Sequence, residues 1–161
     1  MMKIMMKKAF TFVELMVAVA VVLILVTFSM NYLLRARIGA TESSAQVALR
    51  AIFTAEYAYR TGNMGFGTLA DLGQSTPSYI ERTLGCPGGT NSGNCTKGGY
   101  DFRATFSGEN NFVVKAVPTA SGATGVRRFC IAEDGLIREA NTITLDTTHD
   151  ECRDNCVAVQ P

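Results

Sequence analysis

From Phe10 to Leu34 the chain carries twenty-five residues with a single formal charge, Glu14. A helix rising about 1.5 Å per residue makes this run roughly 37 Å long, enough to cross a bilayer core of about 30 Å with some tilt. A carboxylate near the centre of a spanning helix costs about 2.5–3.5 kcal/mol, and less toward the interface. Glu14 is therefore a functional candidate in need of a cationic partner. Lys7 and Lys8 lie on the polar side of the boundary and stay at the headgroups. A cut between Ala9 and Phe10 would supply the partner, a new α-amino group with Glu14 as the fifth residue of the product.

Charge sets the orientation. The first nine residues hold Lys3, Lys7 and Lys8 and no acid, while Arg35 and Arg37 follow the span, which favours the N-terminus in the cytoplasm and the remainder outside. The apolar run is too long for an ordinary secretory h-region, and no A-x-A site follows Leu34. An uncleaved signal anchor holding a periplasmic binding domain is the rival from another class, and it gives Glu14 no purpose. Net charge is +1 with both signs scattered, so nothing argues for nucleic acid as a partner.

The basic leader, the small Ala9, then Phe10-Thr11-Phe12-Val13-Glu14-Leu15 running into an unbroken apolar helix, resembles the class III signal of type IV pilins and pseudopilins. The resemblance implies a membrane peptidase that cleaves before Phe10 and methylates its amine, with Glu14 as the assembly carboxylate. The family usually has Gly before the cut, where this chain has Ala9. Many pilins also carry Pro at the position of Asn31; here that helix breaker is absent.

Beyond the span, Ile38, Ala45, Leu49, Ile52, Ala55 and Tyr59 recur on one face of a 3.6-residue period, with Arg37, Glu42, Gln46, Arg50 and Arg60 mostly opposite. Gly62 and Asn63 supply the stop. The expected helix runs unbroken from Phe10 to about Thr61, with an amphipathic second half. Residues 63–99 read as a connector: Thr68 to Gly73 is a capped helical turn, and the Gly-rich tract from Gly85 to Gly99 is a loop. Gly88-x4-Gly93 fails as a phosphate loop, because Asn94 stands where Lys-Ser/Thr belongs.

From Tyr100 the period becomes two. Phe102, Ala104 and Phe106 form one strand and Phe112, Val114 and Ala116 a second, joined by a turn at Ser107–Asn110. Phe129 and Ile131 begin a third strand, Asp134-Gly135 marks a hairpin, and Leu136 to Glu139 return as a fourth. Thr142 to Leu145 extend or cap the sheet. Such a meander keeps one face wet and lays the other against the helix stripe. The fold class is α+β: a long N-terminal helix packed on a small antiparallel sheet, the lollipop of pilins. The expected divisions are a leader at 1–9, a membrane or filament-core helix at 10–34, an amphipathic half at 35–62, a connector at 63–99, a sheet at 100–145 and a cysteine-containing loop at 146–161. The stretch from Gly99-Tyr100 to Gly135-Leu136-Ile137-Arg138 is similar, more loosely, to the sheet of bacterial major pilins.

Five cysteines, Cys86, Cys95, Cys130, Cys152 and Cys156, all follow the span. In an oxidising compartment they read as two bridges and one leftover thiol. Cys86–Cys95 and Cys152–Cys156 are the simplest pairs. Cys130 joined to Cys152 or Cys156 is the alternative, and it stabilises more by closing a longer loop. The one histidine, His149, lies among Asp146, Asp150, Glu151 and Asp154. A solvated, disulfide-closed acidic loop accounts for them. Calcium at Asp146, Asp150 and Asp154 is the lesser alternative, since some pseudopilins hold calcium in a C-terminal loop. A lone His in such a tail makes a poor general base, so no enzyme and no cofactor is expected. Arg127 and Arg128 read as a solvated strand edge rather than a phosphate site.

These features describe a filament subunit, stored in the inner membrane and then assembled into a helical homopolymer at the cell surface. The resemblance implies a prepilin peptidase, a membrane platform protein and a cytoplasmic ATPase as partners, with lipid around the helix before assembly. A secretion-system pseudopilin and a minor or tip pilin with adhesive or DNA-uptake duty are the rivals within the family. Replacing Ala9 by a bulky residue is expected to leave uncleaved precursor, seen as an N-terminus at Met1 or Met2. Unchanged processing contradicts the leader assignment.

Overall fold

The computed structural model describes residues 10–86, 95–107 and 110–159, and at 28–31 the backbone alone. The leader with Ala9, the Gly88–Gly93 tract and the Gly108-Glu109 turn lie outside the described residues. The chain divides into a first unit up to Ala36 and a second from Arg37 onward. Helix α1 (Phe12–Gly62) contributes to both and is continuous through Asn31 and Gly39, ending at the expected glycine.

In the second unit α2 (Leu69–Gln74) is followed by β1 (Cys95–Lys97), β2 (Tyr100–Ser107), β3 (Asn111–Pro118), β4 (Phe129–Ala132), β5 (Ile137–Glu139), α3 (His149–Asp154) and β6 (Val157–Ala158). The six strands form one antiparallel sheet in sequence order. Helix α2 is the expected capped turn: Thr68 and Asp71 form a reciprocal capping box. Within it Gly73 meets Gly85 so closely that a Cβ on Gly73 would lie 2.5 Å from the Gly85 Cα. Only glycine pairs permit backbones to approach like that.

The helix stripe packs as its periodicity demands. Ala45, Ala48, Leu49, Ile52 and Ala55 are buried against Tyr100, Phe102, Phe112, Val114, Ala116, Phe129 and Ile131 of the sheet. Phe53, Tyr57, Phe66 and Phe112 add ring contacts with centroids 4.6–6.3 Å apart. Glu42, placed on the polar side by the sequence, is instead buried. Its carboxylate accepts from the backbone N–H groups of Val126 and Arg127 at 2.9 and 3.0 Å and from Arg127 Nε at 2.7 Å. Burial works to raise its pKa, but these donors outweigh it and hold the group below the usual carboxylate value.

Three expectations need correction. The Gly85–Gly99 tract is not all loop: Gly98 and Gly99, both at positive φ (58° and 80°), turn β1 back onto β2. A pair of left-handed residues matches the twist of a two-residue hairpin. The tail from 146 is not a loop, since it holds α3 and β6. Of the two outcomes expected for Thr142–Leu145, capping is the one observed: the segment adds no strand, and Ile143 caps the sheet as a buried side chain.

The third correction concerns the supposedly wet face. Val113, Cys130, Ile143 and Cys152 form a second buried cluster, because the segment 140–156 crosses that face as a strap. Lys115, expected to alternate outward, is fully buried beneath it and donates to Thr105 Oγ1 and the Thr147 carbonyl, each at 2.8 Å. Burial, helped by nearby Arg103, brings its pKa down to about 8. With both faces covered, β4 is buried at every position, so alternation fades there.

Glu56, also on α1, is fully buried. One carboxyl oxygen accepts from Gly67 N at 3.1 Å and the other has no partner. Burial raises its pKa from 4.5 to about 8. A folded-state pKa above the unfolded one means that the stabilising proton is fully held below about 4.5 and is lost as pH rises through about 8. In detergent micelles the melting temperature of the native chain is expected to fall relative to Glu56→Gln across that window. The divergence should be at least about 5 °C, the equivalent of about 1 kcal/mol in a domain of this size. Parallel pH profiles contradict this assignment.

Candidate assembly helix and cysteine strap

The first unit exposes what a soluble fold would hide. Every large apolar side chain described between Phe12 and Val26 is exposed, from Phe12 at 73% to Val21 and Val26 at 50%. The most apolar eighteen-residue window has a mean hydropathy of 2.6 and no buried share. Apolar surface on that scale in water would be an aggregation hazard, so it calls for lipid or other chains as its surroundings.

Glu14 sits in the first turn of α1. Its backbone N–H donates to Thr11 Oγ1 at 3.3 Å, and Leu15 N donates to the Thr11 carbonyl at 3.2 Å. Thr11 thus serves as the N-cap, with Glu14 at the third helical position of an S/T-x-x-E pattern. An acid in the first turn also favours the positive end of the helix dipole. This local role was readable in Thr-x-x-Glu and was missed beside the membrane argument. Among the described residues no ion pair engages the Glu14 carboxylate. Phe10 is 75% exposed ahead of the helix, while Ala9, the other side of the expected cut, lies outside the described residues.

Of the five cysteines, Cys86 bonds Cys95 and Cys130 bonds Cys152, with Cα separations of 5.1 and 6.2 Å; Cys156 keeps its thiol. The simplest second pair, Cys152–Cys156, is therefore not formed. Helix α3 explains this: capped by Thr148 and Glu151, it turns Cys152 onto β4, and Cys156 falls beyond its C-cap Asn155. Cys156 donates its S–H to the Glu151 carbonyl at 3.4 Å.

His149 is likewise not in a loose tail. It is largely buried, with Nε2 2.5 Å from Glu133 Oε2 and Nδ1 3.0 Å from Asp150 Oδ1. Burial lowers its pKa, but these two carboxylates prevail and raise it above the ordinary histidine value. Asp146 pairs with Arg103 at 2.6 Å. Among the described residues no three His, Cys, Asp or Glu side chains converge as metal ligands, so Asp146, Asp150 and Asp154 do not assemble the calcium alternative. Neither arginine is a loose strand-edge cation. Arg127 joins Glu42 to Glu139, and Arg128 donates to the carbonyls of Asn141 and Ile143 at 3.2 Å.

Residues 4–30 match the family model described as the prokaryotic N-terminal methylation motif. No curated protein and no solved structure matches the chain. The motif covers the leader from residue 4, Phe10, Glu14 and most of the apolar run, and the sheet is left to be read from its own chemistry.

The Cys130–Cys152 bond closes a loop of 22 residues in sequence. Replacing both cysteines by serine is expected to cost about 3 kcal/mol in unfolding stability. Limited proteolysis should then cut within 140–150 while the rest of the sheet stays protected; an undiminished melting temperature contradicts the strap's role.

Proposed function

We propose, on the premise that the chain carries the class III signal peptide of type IV pilins, that it is the structural subunit of a type IV pilus, cleaved before Phe10 and built into a homopolymer through its N-terminal helix. The methylation-motif match lying across Ala9, Phe10 and Glu14 is the observation that carries this reading. The uncovered apolar surface of α1 supports it, because assembly exchanges lipid neighbours for copies of the same helix.

Before assembly the apolar half resides in the inner membrane, with the leader in the cytoplasm and the sheet outside. A prepilin peptidase removes residues 1–9 and methylates the amine of Phe10. In the filament, the Glu14 carboxylate attracts that amine on a neighbouring subunit. The two charges meet where the dielectric is low, so their attraction far exceeds its value in water. Pairing also relieves the cost of burying either charge alone, which makes register electrostatic. Cohesion comes from dispersion contacts among Val19, Val22, Leu23, Leu25 and Val26, all exposed in the single chain. Extraction from the bilayer is uphill, so a platform protein and a cytoplasmic ATPase supply the work. The role is structural, and the chain's own residues perform no bond-making step. A short secretion-system pseudopilin shares the same helix chemistry and differs in filament length.

Glu14→Ala is expected to give a stable, membrane-inserted and correctly cleaved protein that enters filaments at least tenfold less efficiently, the equivalent of about 1.4 kcal/mol per joining step. Sheared-filament yield against membrane-fraction yield measures it, and normal filaments from the variant contradict the electrostatic account.

A further inference from the structure

We propose that the strap closes with a pH-sensitive clamp: the imidazolium of His149, gripped by Glu133, holds segment 144–151 down on the sheet, and loss of its proton lets that segment lift. The donor count carries this. Nε2 of His149 lies 2.5 Å from Glu133 Oε2, Nδ1 lies 3.0 Å from Asp150 Oδ1, and the residue is only 8% exposed. An ionised carboxylate only accepts, so both ring nitrogens must donate, and only the protonated imidazole carries two donors. Removing the proton turns one nitrogen lone pair toward a carboxylate oxygen. Water can stand in for the exposed Asp150, whereas the half-buried Glu133 makes the shorter and more sheltered contact.

The clamp joins the strap to the sheet. Glu133 follows β4, and His149 opens α3. The other oxygen of Glu133 accepts from Arg153 at 3.2 Å, one turn further along α3. Both ends of the strap are fixed without this proton: Arg128 holds the carbonyls of Asn141 and Ile143, and Cys152 is bonded to Cys130. Between those anchors, Asp146 pairs with Arg103 and the Thr147 carbonyl accepts from Lys115. A cleft of about 420 Å³ runs along His149, bounded also by Phe106, Val113, Lys115 and Asp150. The middle of the strap can therefore rise between two fixed ends while the sheet stays paired, and Lys115 is what it would uncover.

The charges facing His149 are Glu133 after β4, Asp150 and Arg153 on α3, and, around the cleft, Lys115 on β3 and Asp146 of the strap. The Asp134–Arg138 pair flanks Glu133 on the hairpin. Burial lowers the His149 pKa, and the carboxylates of Asp150 and Glu133 more than offset it. A folded value raised above 6.5 means that the clamp is fully present below 6.5 and is lost as pH rises through the higher folded value. Lys115 runs the other way: burial depresses its pKa to about 8, so its own deprotonation favours the closed strap. Loss of strap protection with rising pH thus reports His149 rather than Lys115.

The test is amide hydrogen exchange of the full-length protein in detergent micelles from about pH 5.5 to about pH 8.5, bracketing the ordinary histidine value, corrected for intrinsic rates. Exchange at C2 of the one histidine, read by mass spectrometry, gives its midpoint in the same samples. The expected result is that protection of 144–150, relative to the Ala45–Ala55 stripe of α1, falls by at least about threefold in step with that midpoint. His149→Gln should show no such step, and Glu133→Gln should lower the histidine midpoint and shrink the step. Flat relative protection in the native chain overturns the proposal. So does a step that persists in His149→Gln, which would trace it to another group such as Glu56.

Discussion

A helical cylinder whose apolar side chains are exposed among the described residues is the constraint on which this molecule turns. Along the first half of α1 the valines, leucines and isoleucines face outward on all sides. A globular domain gains its stability by hiding such surface; this unit leaves it exposed. Within that surface sits one carboxylate, on a residue whose backbone N–H is capped by the Thr11 hydroxyl at the start of the helix. The helix can thus begin well-formed without a partner, and the proposed pairing of Glu14 with a neighbour's amine adds to a helix already capped.

The second unit solves a different problem. A small sheet must be held shut on both faces with few residues to spend, and it is. One face takes the amphipathic half of α1, tied at Glu42 through Arg127 and at Tyr57 through the Glu133 carbonyl. The other takes the strap, tied by Cys130–Cys152, by Lys115 and by Arg128. Small secreted domains often make up for a limited core with disulfides; here one bond joins the segment after α2 to β1 and the other joins α3 to β4. Among the described residues the charged groups inside are engaged rather than stranded, with Glu56 the exception: one of its oxygens lacks a partner, which leaves a buried acid that titrates at about 8.

What could be read in advance depended on period and length. The helix from Phe12 to Gly62, its Ala45–Ala55 stripe, the four central strands and the Thr68 cap each announce themselves in a repeat or a short motif. What escaped was whatever only three-dimensional context decides. Glu42 and Lys115 have the side chains of surface residues, and both are buried because loops and strap close over them. Strands β1 and β6 are two or three residues long, too short to show alternation, and pair only because a neighbour offers an edge. The Gly98-Gly99 pair was a visible signal for β1, and Thr148-x-x-Glu151 one for α3, and both were submerged in compositions that read as loop. For the cysteines, spacing left alternatives open, and the helical geometry of α3 selected among them.

The central claim is that the working form of this chain begins at Phe10 and is a polymer of itself. Mass spectrometry of the N-terminal peptide from sheared surface filaments tests it most directly. The account predicts a peptide starting at Phe10 and heavier by one methyl group on its amine, abundant in the filament fraction. A chain found only in membranes, still carrying its first nine residues, contradicts it.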